Sequence, residues 1–215
     1  MPGSDWFAKG VAVMVFLALL LAVPVRAEPW NTPYDRFFED PKAKAEFKTL
    51  DDGTEVRSVL LPGGVRLEER REDGAISRYS MDTSGAGAVL CTREIFLTVQ
   101  IALAVCEDLE NRTVSNRLDE ALGRIDDFVV ANSVEPVSLS QLHENEQARL
   151  IEFRKEMRGA SDEEKVASCR SVDEERFRFR AEISRALGSM SDEDFRKWLD
   201  HLLAVPRLPA MNPCL

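Results

Sequence analysis

The sequence predicts an α+β fold, predominantly helical, in which a small three-stranded antiparallel meander packs on a disulfide-stapled helical body. Residues 54–82 contain short strand-like runs separated by turns that include glycine. Residues 88–215 instead carry apolar side chains at helical spacing and form the predicted helical domain. The four cysteines of the chain all lie in this second part, as Cys91, Cys106, Cys169 and Cys214.

Residues 1–27 predict a secretory signal peptide. Lys9 precedes an apolar stretch from Val11 to Val23, and Val25-Arg26-Ala27 offers a site for signal peptidase. Because the stretch is shorter than the roughly 20 apolar residues that a membrane helix needs, cleavage is favoured over an uncleaved anchor. We therefore expect an exported protein, periplasmic or secreted, that has no membrane span after signal removal.

The charge of the chain argues against two classes of partner. The sequence has 28 basic and 38 acidic side chains, a formal net charge of −10, and no basic stripe interrupts the acidity. Such a balance repels phosphate backbones and anionic lipid surfaces. Nucleic acid and anionic membranes are therefore not expected partners.

Residues 28–53 predict an N-terminal lead-in with a short helix. Asp40 followed by Pro41 is typical of a helix start, since aspartate caps a helix and proline fits its first turn. The predicted helix continues through Ala43, Ala45 and Phe47.

Residues 54–82 predict the β-meander, with strands over 55–61, 65–71 and 75–81. Asp73-Gly74 between the last two strands is a strong hairpin signal, because both central positions of such a turn need positive φ. A two-residue loop there places Glu69 opposite Arg78. The meander is too polar to fold alone, so we expect it to lie against the helical domain.

The stretch from Ile95 to Val105 is apolar except for Thr98 and Gln100. An element that is apolar around its whole circumference is buried on all sides. The stretch is about half as long as a membrane span, and its length favours a helix over a buried strand. We therefore predict a central core helix.

Apolar periodicity and capping residues predict further helices along the rest of the chain. One passes through Leu118, Leu122, Ile125 and Val129. Others follow Ser138, Ser161 and Ser191, where capping residues precede apolar stripes, and Gly159 ends the first of these three. The tail from Pro206 contains three prolines and is predicted to be extended.

The spacing of the cysteines restricts their pairing. Cys91 and Cys106 are 15 residues apart, which is about 22 Å along a helix, whereas a disulfide needs Cα atoms within about 7 Å. Two pairings remain, 91–169 with 106–214 or 91–214 with 106–169. We favour the second, because Cys106 and Cys169 both lie in helical stretches that can cross.

The sequence predicts no catalytic, cofactor-binding or metal-binding residue. No Cys-x-x-Cys pair is present, and the only histidines, His143 and His201, lack the spacing of a zinc site. Acidic clusters at Asp126-Asp127 and 192–194 are interpreted as solvated faces or helix caps.

A candidate interaction face lies between positions 176 and 180. Arginine and aromatic side chains are common anchors of protein interfaces. On a helix Phe177 and Phe179 point about 200° apart, so one of them faces away from any single core. The five residues of this face are Arg176, Phe177, Arg178, Phe179 and Arg180.

Two function classes remain open from the sequence. The first is an exported, non-enzymatic protein that binds another protein, as a chaperone, an inhibitor or an envelope assembly factor. The second is a hydrolase that acts on envelope material through an acidic residue pair. An enzyme is expected to show a pocket with convergent carboxylates of shifted pKa, and a binding protein an exposed apolar patch. Because no catalytic signature is present, the first class is favoured; the sequence does not determine the oligomeric state.

Overall fold

The computed structural model describes residues 29–105, 112–161, 163–164 and 175–214, with the backbone alone at 175–180. The chain divides into two compact units, Met1–Thr32 and Pro33–Leu215. In the first unit only residues 29–32 are described, and their backbone is irregular. The predicted signal peptide lies outside the described residues and stays a prediction. The elements below all belong to the second unit.

A four-stranded antiparallel sheet with the order β1-β2-β3-β4 forms the first part of this unit. Its strands are Glu46–Thr49 (β1), Glu55–Leu61 (β2), Val65–Glu72 (β3) and Ala75–Asp82 (β4). The last three strands confirm the predicted meander. The predicted number of strands is wrong, because β1 adds a fourth strand in the region where the sequence predicted a helix.

The capping bond expected at Asp40 is present, but it closes only a single turn, and no helix continues from it. The Asp40 carboxylate accepts the N–H of Lys42 at 2.9 Å, and the Asp40 carbonyl accepts the N–H of Ala43. These bonds close a turn at the point where a helix would begin. The only helix of this region is the single turn Asp35–Phe38 (α1). The chain after the turn pairs with β2, which satisfies backbone groups that would otherwise have no partner in the sheet.

The register of the β3–β4 hairpin is the one that the sequence predicts. Glu69 lies opposite Arg78, and the Arg78 Nε donates to the Glu69 Oε1 at 2.9 Å. Asp73 and Gly74 occupy the turn with φ of +49° and +80°. Positive φ at both positions matches the twist of the flanking strands.

Five longer helices follow the sheet within the described residues. They are Val89–Val105 (α2), Arg112–Asn132 (α3), Leu139–Gly159 (α4), Glu175–Ser189 (α5) and Asp192–Leu203 (α6). The predicted core helix is therefore confirmed as α2, but the expectation of burial on all sides is wrong, because Ala104 is exposed. No described helix combines the length and the apolar character that crossing a membrane requires.

Serine caps fix the starts of two of these helices and of a further turn. Ser138 and Gln141 form a complete capping box at the start of α4. At the start of α6 the Ser191 hydroxyl accepts the N–H of Asp194. Ser161 and Glu164 also form reciprocal hydrogen bonds, and residues 165–174, which come next, lie outside the described residues. These serines therefore act as the sequence predicted.

The helical core is built around α2 and α3. The stripe of Leu118, Leu122, Ile125 and Val129 on α3 is buried, as predicted, and packs in one cluster with Phe96, Leu97 and Val99 of α2. Phe195, Leu199 and Leu202 of α6 complete the same cluster.

The C-terminal tail returns to the sheet and to the start of α2. The N–H of Asp82 donates to the Asn212 carbonyl at 2.7 Å, and the N–H of Leu90 donates to the Ala210 carbonyl at 2.9 Å. A disulfide joins Cys91 to Cys214, whose Cα atoms are 5.3 Å apart. This bridge of the favoured pairing is confirmed, whereas Cys106 and Cys169 lie outside the described residues and their pairing stays a prediction.

Candidate functional site

The two faces of the sheet have opposite characters. Along β2 the inner face carries Arg57, Val59 and Leu61, all buried, and it packs against Tyr34 and Phe38 from the region of α1. Val134 and Leu208 pack on this cluster from the helical domain and the tail. The outer face of the sheet carries the alternate residues. Val56 and Ser58 of β2 are buried on this face, whereas Leu60, Tyr79 and Met81 are exposed.

A network of buried charges lies on the inner face. Glu69 is fully buried and accepts from the Nε atoms of Arg57 and Arg78, each at 2.9 Å. Arg57 also pairs with Asp35 at 2.5 Å, and the Arg78 guanidinium stacks on the Tyr34 ring at 3.6 Å from its centroid. Burial raises the pKa of Tyr34, although the charge of Arg78 opposes that shift. Because both oxygens of Glu69 bind arginine, we assign this network a structural role.

A second buried ion pair joins α2 to α3. The Arg93 Nε lies 2.5 Å from the Asp126 Oδ1, and both residues are buried. Burial lowers the pKa of Arg93, but the hydrogen bond and charge of Asp126 outweigh it, so the net shift is upward. The expectation that Asp126 is solvated is therefore wrong, because Arg93 compensates its charge inside the core. Asp127 is exposed, as expected.

The helical domain contains a cavity of about 420 Å³ between α2, α3 and α4, with a mainly apolar lining. Its lining includes two carboxylates, Asp119 and Glu146, together with Gln100 and Arg112. The Gln100 Nε2 donates to the Asp119 Oδ1 at 2.5 Å, so one of the two carboxylates is already bonded within the protein. Among the described residues, this cavity most resembles the acidic site expected of a hydrolase.

Carboxyl groups with lowered pKa lie at turns and helix starts. Backbone hydrogen bonding from Thr54 lowers the pKa of Asp52, and that from Ser161 lowers the pKa of Glu164. A hydrogen bond from Arg117 lowers the pKa of Asp192 in the first turn of α6. None of these three groups lines the cavity between α2, α3 and α4, and the 192–194 cluster occupies the helix start that the sequence predicts.

The outer face of the sheet exposes apolar side chains. Leu60 is 63% exposed, Tyr79 50% and Met81 49%. Leu60 and Met81 flank Arg66 across one row of strands, and Tyr79 lies in the next row beside Glu68. The outer face therefore exposes three apolar side chains interspersed with Arg66 and Glu68, a mixture of apolar and charged groups that a protein interface can use.

Two arginines complete this outer face. The Arg66 Nη2 donates to the Ser58 hydroxyl at 2.9 Å and pairs with Glu46 at 3.3 Å. Arg70 pairs with Glu68 at 2.8 Å and lies over the Tyr79 ring at 5.2 Å from its centroid. Both arginines are about half exposed, at 49% and 48%, so each retains surface for a further contact.

The sequence contained a signal for the outer face that its interpretation missed. Since Glu69 pairs with Arg78 on one face, strand alternation places Tyr79 and Met81 on the other. The alternation does not determine which face of the sheet the helical domain covers. The face predicted at residues 176–180 lies on α5, but the side chains there are outside the described part, so it stays a prediction.

No family model, curated protein or solved structure matches this chain. Among the described residues no group of three or more His, Cys, Asp or Glu side chains is arranged to hold a metal ion.

Proposed function

We propose that the protein is an exported, non-enzymatic binding protein that contacts another protein through the outer face of its sheet. The observation that supports this most directly is the exposure of Leu60, Tyr79 and Met81 beside Arg66 and Arg70. Tyrosine, methionine and arginine are enriched at protein interfaces, where the apolar parts are desolvated and the guanidinium forms directed bonds.

The chemistry of the face indicates the chemistry of the partner. Its apolar side chains need an apolar contact surface, and its arginines need acceptors at the rim. Because Glu46 and Glu68 only partly enclose these arginines, carboxylates of the partner can bind their remaining N–H groups. The proposed partner is a protein with an apolar centre flanked by carboxylates.

Export is supported by two observations. The predicted signal peptide directs the chain out of the cytoplasm, and the Cys91–Cys214 disulfide is typical of proteins that mature in an oxidising compartment. The alternative, a hydrolase with an acidic residue pair, has less support, because Gln100 already binds Asp119 in the cavity that contains two carboxylates.

Site-specific photo-crosslinking in the producing cells tests the proposal. A photoreactive residue at position 79 is expected to give one discrete crosslinked protein, and the same residue at Ile151, an apolar side chain 61% exposed on α4, is expected to give none. Leu60→Ser with Met81→Ser leaves the probe in place and is expected to abolish the product.

Binding of the purified crosslinked protein provides the quantitative test. Arg66→Glu is expected to weaken its affinity by about tenfold or more, since a bonded interface charge is worth at least about 1.4 kcal/mol. Equal products from positions 79 and 151, or an affinity that Arg66→Glu leaves unchanged, would contradict the proposal.

A further inference from the structure

Strand β1 is an edge strand, and its backbone has a defined outward side. The Leu50 N–H donates to the Thr54 carbonyl at 2.9 Å, which makes Leu50–Thr54 a hydrogen-bonded pair of the β1–β2 ladder. In an antiparallel ladder such pairs alternate along the strand. The N–H and C=O groups of Phe47 and Thr49 therefore point away from β2, and no partner for them lies in the part of the chain that the structure describes.

The same strand exposes a large apolar side chain. All four residues of β1 are exposed, and Phe47 is 63% exposed. Natural proteins usually protect a free edge with a covering element, a proline or a bulge, because an open edge pairs readily with another strand. Within its described surroundings β1 has no covering element, but it is short and carries Glu46 and Lys48, charges that oppose pairing unless the incoming strand places unlike charges against them.

The residues of β1 select a second copy of the same chain as the partner. In an antiparallel pair of two β1 strands, residues whose N–H and C=O groups point outward must lie opposite each other to form the hydrogen bonds. A two-fold axis that relates the two strands therefore passes through a residue position and not between two residues. An axis through Lys48 places two lysines opposite each other, and an axis through Glu46 places two glutamates opposite each other. An axis one residue earlier opposes Lys44 to Glu46, but it sets Lys42 against Lys48 and aligns Phe47 with Ala43, whose N–H is already bonded to the Asp40 carbonyl. An axis through Phe47 places Glu46 of each copy opposite Lys48 of the other.

We propose that two copies associate through antiparallel pairing of their β1 strands about a two-fold axis at Phe47. The two Phe47 residues exchange backbone hydrogen bonds, and Ala45 of each copy pairs with Thr49 of the other. Two Glu46–Lys48 contacts form across the axis, where unlike charges directly opposite stabilise a strand pair. The result is a continuous eight-stranded sheet.

The small size of this contact predicts weak association. A strand edge of about five residues falls below the roughly 1,000 Å² that a stable interface needs, so the dimer should depend on protein concentration. This inference does not rest on the proposed function, because it uses the backbone edge of β1, whereas the proposed binding uses Leu60, Tyr79 and Met81 on the outer face. Glu46 contributes to both, since it also pairs with Arg66, so Lys48→Glu is the variant that tests the edge alone.

Sedimentation of the full mature chain at increasing concentration tests the inference. The wild-type protein is expected to dimerise, and Lys48→Glu or Glu46→Lys alone to weaken the dimer at least about tenfold, since each change opposes like charges twice. Lys155→Glu on α4 makes the same charge change at an exposed helical site and serves as the matched control.

Charge reversal provides the decisive comparison. The double variant Glu46→Lys with Lys48→Glu restores unlike pairs and is expected to dimerise like the wild type. An equimolar mixture of the two single variants is expected to form the mixed dimer for the same reason. Association in the mixture also shows that both single variants fold.

Hydrogen exchange locates the contact. The amides of Phe47 and Thr49 are expected to become protected as the protein concentration rises, whereas the amide of Leu50, already bonded to Thr54, is expected to change little. A chain that stays monomeric at every concentration, or a dimer insensitive to both single variants, would overturn the proposal.

Discussion

The Arg207 Nε donates a hydrogen bond to the Asp82 Oδ2 at 2.6 Å, and both side chains are almost completely buried. The same guanidinium donates to the carbonyls of Gly87, Leu202 and Val205. One tail residue therefore joins the end of β4, the start of the helical domain and the end of α6.

Asp82→Asn is expected to lower the free energy of unfolding by about 3 kcal/mol, because it leaves the buried Arg207 charge without its counter-ion. Urea denaturation of the single variants and of Asp82→Asn with Arg207→Met measures the coupling. The double variant should lose less stability than the sum of the two single variants. Strict additivity would show that the two side chains do not act as a pair.

Replacing Cys91 and Cys214 by alanine is expected to destabilise the protein by about 4 kcal/mol, since the bridge closes a loop of more than 100 residues. The tail should also become accessible to protease before the sheet does. Denaturation and timed proteolysis of the double variant measure both effects. An unchanged urea midpoint would mean that the other tail contacts suffice to hold the C-terminus.

Glu69→Gln is expected to cost about 3 to 5 kcal/mol, because it breaks a fully buried pairing with Arg57 and Arg78. Glu68→Gln is the matched control, since Glu68 is the neighbouring residue on the outer face and pairs with the half-exposed Arg70. An exposed pair of this kind contributes about 0 to 1 kcal/mol. Similar losses in the two variants would refute the structural role of the inner network.

Gly63→Ala is expected to be more destabilising than Gly53→Ala. Both glycines have positive φ, +87° and +86°, so both variants incur the backbone cost of about 1 to 2 kcal/mol. A Cβ at Gly63 would lie 2.8 Å from the Arg207 Cβ, whereas none of the described atoms lies within 4 Å of one at Gly53. The difference in unfolding free energy measures the close approach of the tail, and equal losses would argue against it.

Asp192→Asn is expected to destabilise the protein at neutral pH and to have less effect in acid. The hydrogen bond from Arg117 lowers the pKa of Asp192, so its contribution is complete above the ordinary aspartate pKa of about 3.9 and is lost as pH falls through the folded value. Urea denaturation at several pH values compares this variant with Glu193→Gln in the same helical turn. If the difference in unfolding free energy between this variant and the wild type grew as the pH fell, the prediction would be wrong.

Much of the fold follows from the sequence because the signals are local. The Asp73-Gly74 turn fixes the register that pairs Glu69 with Arg78, and the serine at position 138 caps its helix through side-chain bonds to nearby backbone. The buried stripe of α3 follows from helical spacing. The cysteine spacing also argues against a bond between Cys91 and Cys106, because 15 residues of helix separate their Cα atoms by more than a disulfide can span.

The tertiary structure alone decided the features that depend on distant partners. Strand β1 exists because the edge of β2 accepts it, which overrides the helix signal at Asp40-Pro41. Asp126 is buried because Arg93, 33 residues earlier, compensates its charge. The sequence fixes the alternation of β4, but only the packing of α1 and the tail determines that Tyr79 and Met81 remain open to a partner, because burial depends on which surface covers which.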